Sequence, residues 1–164
     1  MRKALDLANY TFAEQNEMVS PQLIYYKPII EQNILETIAV AGDVERLWPH
    51  VKTHKMKEVI ALQMAQGINK FKCATIAEAE MTAECGAKSI IISYQLVGPN
   101  VARYYALRKA YPNTTFYSIA DDTDAVRMLG EAADGTDANV LMDVDLGQHR
   151  TGVAIEKAAD VYAE

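Results

Sequence analysis

The stretch Trp48-Pro49-His50-Val51-Lys52-Thr53-His54-Lys55 brings two lysines and two histidines into one extended, β-branched segment that runs straight into a helix-like pattern. A lysine held at the end of a buried strand loses part of its hydration. That loss disfavours the ammonium and lowers the pKa toward the range where a free amine attacks a carbonyl. Schiff-base formation is the chemistry such a residue performs, and Lys52 is the candidate nucleophile. His50, two positions earlier, shares a face with it in an extended chain; the spacing leaves open whether it touches a bound group or supports the lysine. His54 and Lys55 lie on the outgoing loop and are expected to be solvated.

A second constellation is Asp143-Val144-Asp145-Leu146-Gly147-Gln148-His149-Arg150-Thr151-Gly152-Val153. Gly147 and Gly152 permit a tight loop, and Arg150 would present a rigid, permanently charged donor fork. That fork either holds a phenolate or carboxylate or pairs with a neighbouring aspartate on the rim. Two further stretches, Cys73-Ala74-Thr75-Ile76-Ala77-Glu78-Ala79-Glu80 and Leu96-Val97-Gly98-Pro99, read more simply. Thr75 and Glu78 have the spacing of a capping box, and Gly98-Pro99 is a turn. Cys73 and Cys85, without a CxxC or a histidine-rich frame, are read as buried packing rather than as a disulfide, zinc ligands or a nucleophile.

Pro49-His50-Val51-Lys52-Thr53-His54-Lys55 resembles the pyridoxal-phosphate lysine motif of the D-threonine aldolase and D-serine dehydratase family, fold-type III enzymes whose barrel is similar to that of alanine racemase. The run Val-Asp-x-Gly-x-x-Arg-x-Gly-Val at 144–153 resembles the family's second signature, and the stretches at 73–80 and 96–99 resemble its corresponding loops. The resemblance implies that Lys52 carries pyridoxal 5'-phosphate as an internal aldimine and that Arg150 lies beside the ring's 3-oxygen. His50 is a further candidate contact to the cofactor. Trp48 departs from the pattern, since the family usually has arginine there. The implied activity is a lyase, aldolase or dehydratase, acting on small D-amino acids such as D-threonine or D-serine. A pyridoxal-phosphate homeostasis protein or an amino-acid racemase on the same barrel is the alternative. In the family a divalent metal is held by residues of a C-terminal β-domain, outside this chain.

Positioning these residues requires an α/β scaffold, and the hydrophobic period supplies one. Gln22 to Tyr26 reads as a strand, followed by a helix entered at Pro28 and ended at Gly42; an amphipathic segment, 2–17, precedes them. Strands are then predicted at 47–53, 70–74, 89–94, 114–120 and 140–145, alternating with helices at 57–66, 76–85, 100–110, 123–133 and 155–164. The run Ser89-Ile90-Ile91-Ile92-Ser93-Tyr94 is apolar enough for a strand covered on both faces. Repeated β-then-α units without a hairpin signal point to a parallel sheet. No GxGxxG follows the first strand, so a TIM-type (β/α) barrel is favoured over a doubly wound sheet, and the resemblance implies that it is of the alanine racemase kind. A full barrel takes ~250 residues. Residues 1–164 therefore read as an incomplete barrel domain with about six of eight βα units; the resemblance implies that the family's C-terminal β-domain is absent from them as well, and the segment is expected to be inactive alone. It would form a homodimer or associate with the remainder of the barrel.

Composition narrows the partners. The net charge of −6 and pI near 5.1 offer no basic footprint for nucleic acid or an anionic membrane. No apolar run approaches the ~20 residues of a membrane span, and no signal peptide pattern opens the chain. The expectation is a cytoplasmic protein with a small-molecule partner.

Overall fold

The computed structural model describes residues 7–133 and 135–164. Four parallel strands, β1 (Lys70–Cys73), β2 (Ser89–Ile92), β3 (Thr115–Ala120) and β4 (Asn139–Met142), lie in the order β1-β2-β3-β4. The helices are α1 (Lys27–Ala41), α2 (Lys57–Ala65), α3 (Ile76–Glu84), α4 (Pro99–Ala110), α5 (Thr123–Ala132) and α6 (Ala158–Ala163). Each new strand joins the edge beside its predecessor, without the order reversal that marks a doubly wound sheet. Four sequential parallel strands alternating with helices are the arrangement of a (β/α) barrel wall.

Side chains alternate across the strands with period 2. Phe71, Cys73, Ile90, Ile92 and Phe116 are almost wholly buried on the face covered by helices, where they meet Ile60, Ala79, Tyr104, Leu107 and Leu129. Lys72, Ile91, Tyr117 and Ile119 occupy the other, inner face and are only half-buried. The Ile90-Ile91-Ile92 run is thus sealed on one face and lines a cleft on the other.

The number of regular strands corrects the expected six. Gln22–Tyr26 forms no ladder: Leu23 is 79% exposed, and an apolar run without a neighbour to take its backbone hydrogen bonds does not become a strand. Its end is tied instead by Tyr26, whose hydroxyl donates to the Tyr10 carbonyl at 2.6 Å. Residues 47–53 touch β1 through a single bridge, His50 to Lys72, with Lys72 N–H donating to the Pro49 carbonyl at 2.9 Å. Pro49 has no N–H to extend that ladder, and the chain turns into a 3₁₀ helix at Val51–Thr53. The predicted helix at 2–17 lies partly outside the described residues; within them are only a 3₁₀ turn, Leu7–Tyr10, and further turns. The last predicted helix begins as a 3₁₀ turn, Ile155–Lys157, before α6.

Caps agree with the sequence chemistry. Asp122 accepts from Ala125 N–H at 2.9 Å at the start of α5, which leaves Asp121 available elsewhere. Gly42 ends α1 with φ +78°, a left-handed conformation that glycine adopts without a Cβ clash. Among the described residues no helix is long and apolar enough to cross a membrane.

Candidate functional site

At the C-terminal ends of the strands opens a cleft of about 720 Å³ lined by His50, Lys52, Lys72, Ser93, Asp143 and Arg150, among others. Barrel enzymes place their chemistry at this end of the strands. The three residues singled out by sequence, His50, Lys52 and Arg150, therefore share one cavity although Lys52 and Arg150 stand 98 positions apart in the chain.

Lys52 sits in the Val51–Thr53 turn rather than on a strand, with its side chain exposed to the cleft. The turn is held from beneath by Val51, which is fully buried. It is held from the side by His50, whose Nδ1 accepts the Lys52 N–H at 3.3 Å. The other ring nitrogen, Nε2, lies 3.4 Å from Ser93 Oγ, and that hydroxyl donates to the Cys73 carbonyl at 2.9 Å. Ser93 has thus spent its proton, so it accepts from an Nε2–H while Nδ1 stays unprotonated. Burial, then the charges of Lys52 and Lys72, push the His50 pKa below its usual value, which favours the same neutral imidazole. His50 supports the lysine's turn and lines the cavity at once.

Arg150 reaches the cleft from the loop after β4. The alternative of a rim ion pair is not realised: among the described residues Arg150 makes no salt bridge, and the neighbouring Asp145 is engaged elsewhere. Asp145 accepts from Gly147 N–H at 2.9 Å and His149 N–H at 3.0 Å through one oxygen. The other oxygen lies 2.8 Å from His149 Nδ1. The loop is closed by a bridge between Val144 and Val153 and by Asp121, which accepts from Gly152 N–H at 3.0 Å.

These bonds, led by the His149 and Gly147 amides, draw the Asp145 carboxyl down to about 2. Because the folded pKa lies below the ordinary carboxylate value of roughly 4, the stabilisation is complete above that value and is lost as pH falls through about 2. An NMR titration is expected to show Asp145 titrating near 2, and Asp145→Asn should remove that part of the acid sensitivity. A carboxyl titrating near 4 would mean that the loop is not held by these bonds.

Sequence reading missed several residues of the site. Lys72 and Ser93 reach it by strand alternation, and a lysine inside an otherwise apolar strand was the available signal for the first. Trp48, where an arginine was expected, packs edge-on against Tyr117 with ring centroids 5.9 Å apart, and the Lys70 ammonium sits 5.6 Å from the indole centroid. His54 is not a free loop side chain: its Nδ1 accepts from Met56 N–H at 3.1 Å. Lys55 pairs with Glu78. The Thr75 cap forms, with Oγ1 accepting from Glu78 N–H at 3.1 Å, but the Glu78 carboxylate reaches back to Ala74 N–H, one residue before the usual capping-box donor. Cys73 is buried, its thiol pushed up to about 12 by that burial, as suits packing rather than nucleophilic work. Among the described residues no three His, Cys, Asp or Glu side chains converge as metal ligands would.

Residues 28–164 match the family described as alanine racemase, N-terminal domain. The D-threonine aldolase of an Arthrobacter species is 31% identical over 139 residues, which is 82% of this chain and 36% of that protein. The 3-hydroxy-D-aspartate aldolase of Paracoccus denitrificans is 27% identical over 154 residues, 88% of this chain and 38% of its own length. Among solved structures, the D-threonine aldolase from Filomicrobium marinum superposes with a TM-score of 0.78 at 29% identity, covering 91% of this chain and 41% of that one. An alanine racemase-like protein from Idiomarina loihiensis, 23% identical with a TM-score of 0.67, shares the fold. The chain thus spans about two-fifths of the length of these relatives.

Proposed function

The chain belongs to the alanine racemase N-terminal domain family, and from that premise we propose that it forms the lysine-bearing part of a pyridoxal-phosphate-dependent lyase acting on D-amino acids. The observation that carries this reading is the meeting of Lys52, His50 and Arg150 in one cleft at the strand ends. The two aldolases among its relatives support the lyase over the racemase.

The residues present fit the cofactor. The cavity has the size of a small-molecule site, about 720 Å³. It offers an amine for an aldehyde and, in Arg150, a guanidinium without a carboxylate partner among the described residues. Lys52 would hold the cofactor covalently through its aldehyde carbon, and Arg150, as a charged donor, would donate to the phenolic oxygen of the ring. When bound, pyridoxal phosphate supplies an electron sink for the pair released as a bond to the substrate α-carbon breaks. His50, neutral and fixed by Ser93, keeps the Lys52 turn in place without adding a third positive charge beside Lys52 and Lys72. For a β-hydroxy-D-amino acid the outcome is retro-aldol cleavage to glycine and an aldehyde; for D-serine the alternative outcome is loss of water, the proton leaving the α-carbon and the hydroxyl the β-carbon.

The test is to load the full-length protein with pyridoxal phosphate, record its visible absorbance, and assay D-threonine, 3-hydroxy-D-aspartate and D-serine. Cleavage of a D-substrate but not of its L-enantiomer is expected. Cofactor binding without turnover of any of them would favour a carrier, and no binding would end the reading. Arg150→Ala is expected to shift the bound cofactor's absorbance and depress turnover while changing stability by less than about 0.5 kcal/mol, as for an exposed side chain outside the core. Loss of folding with an unaltered cofactor spectrum would assign Arg150 a structural role instead.

A further inference from the structure

We propose that Lys55 and Glu78 are positioning residues for Lys52: their ion pair, made between the loop after the lysine and the first turn of α3, holds the Val51–Thr53 turn so that the Lys52 amine faces the cleft. The proposal rests on Lys52 as the amine that takes the cofactor. It concerns how that amine is held.

The turn is tied on both sides of Lys52. Before it, the His50–Lys72 bridge joins the chain to β1. After it, Lys55 N–H donates to the Val51 carbonyl at 2.8 Å and closes the turn, and Lys55 adopts φ +50°, a left-handed conformation that is costly for an L-residue. Something must offset that cost. The Lys55 ammonium pairs with Glu78 Oε1, while Glu78 Oε2 accepts the Ala74 N–H at 2.7 Å. Ala74 directly follows β1 and lines the same cleft. One carboxylate therefore fastens the exit of the lysine turn to the end of the strand whose bridge fastens its entrance.

Helix capping alone does not explain this arrangement. The cap requires only Thr75 Oγ1 on the Glu78 amide. The Glu78 side chain, 4% exposed, has instead been turned away from the N-cap amide toward Ala74 and Lys55. Burial raises the Glu78 carboxyl, but Lys55 and the Ala74 amide lower it further, so the group is ionised at neutral pH. Removing Lys55 leaves that buried charge without its cation. The Lys55 side chain is 59% exposed, so shortening or neutralising it opens no cavity in the core.

The test compares Lys55→Met, Glu78→Gln, Lys55→Arg and the Lys55→Met/Glu78→Gln double variant of the full-length protein by two readouts. The first is the rate at which pyridoxal phosphate is trapped on Lys52 by borohydride, read by peptide mapping. The second, which needs no cofactor, is amide hydrogen exchange over residues 51–56. Lys55→Met and Glu78→Gln are each expected to slow trapping at Lys52 about tenfold or more, the scale of a small misplacement of a reacting group, and to speed exchange in the turn. Lys55→Arg should restore both, and the double variant should be no worse than either single one. Variants that lose only thermal stability, with trapping and turn exchange as in the wild type, would overturn the proposal. If the wild type itself is not trapped, the cofactor reading falls, and unchanged exchange over 51–56 in Lys55→Met would still overturn the clamp.

Discussion

Replacing Lys52 by alanine is expected to abolish covalent attachment of pyridoxal phosphate and to lower turnover of any D-amino acid substrate by about 10³-fold or more, the scale of losing a covalent nucleophile. The residue is exposed to a cleft that it shares with Arg150, while the other lysine at that cleft, Lys72, stands on β1 at the level of His50. Borohydride reduction of the loaded protein followed by peptide mapping should place the label on the peptide carrying Lys52, and the absorbance of the bound cofactor should vanish in Lys52→Ala. Label on Lys55 or Lys57 would refute the assignment. Each of those two already has a carboxylate partner, Glu78 and Glu84 respectively, and an ammonium held in an ion pair is a poor nucleophile. Label on Lys72 would move the chemistry from the turn onto β1 and leave Lys52 as a neighbouring charge.

The second large effect is structural and lies at Gly152. A Cβ at this position would stand 2.6 Å from the Asp145 nitrogen and 2.7 Å from the Val144 carbonyl carbon. Both are backbone atoms of the segment just beyond β4 to which the loop returns, and φ is +98°. A side chain cannot swing aside from a backbone clash. Gly152→Ala should therefore cost about 3 kcal/mol, combining the left-handed penalty with local overpacking. It should break the Val144–Val153 bridge and the Asp121 bond to the Gly152 amide. Thermal unfolding measures the first consequence, and loss of the Asp145 low-pH titration measures the second. Gly147 is the control: φ is +110°, yet nothing lies within 4 Å of its would-be Cβ, so Gly147→Ala should carry only the conformational penalty. Equal losses at the two positions would show that the tight return at Gly152 is not what holds the Arg150 loop.

Much of this architecture is written locally. The hydrophobic period places β2, β3 and the five helices α1 to α5 within a residue or two of where they form, because alternation and helical spacing are properties of neighbouring side chains. Pro28, Gly42, Thr75 and Asp122 mark helix ends for the same reason: each acts on amides within a turn of itself. The chemistry was legible too. A lysine between two histidines, and an arginine between two glycines, announce reactive types before any fold is known.

What the sequence could not decide is which distant groups meet. Gln22–Tyr26 has a strand's composition but, among the described residues, no neighbouring strand to pair with, and residues 47–53 have a strand's residues but a proline where the ladder needs a donor, so Lys52 is presented from a turn. Glu78 reads as a capping-box partner until the fold brings it to Lys55, 23 residues away, and Asp121 has no evident role until Gly152 arrives from 31 residues beyond. A hydrogen bond within one turn is settled by the residues of that turn. A bond across 20 or 30 residues is settled by the register of β1 on β2 and β3 on β4, which no single stretch of the chain contains.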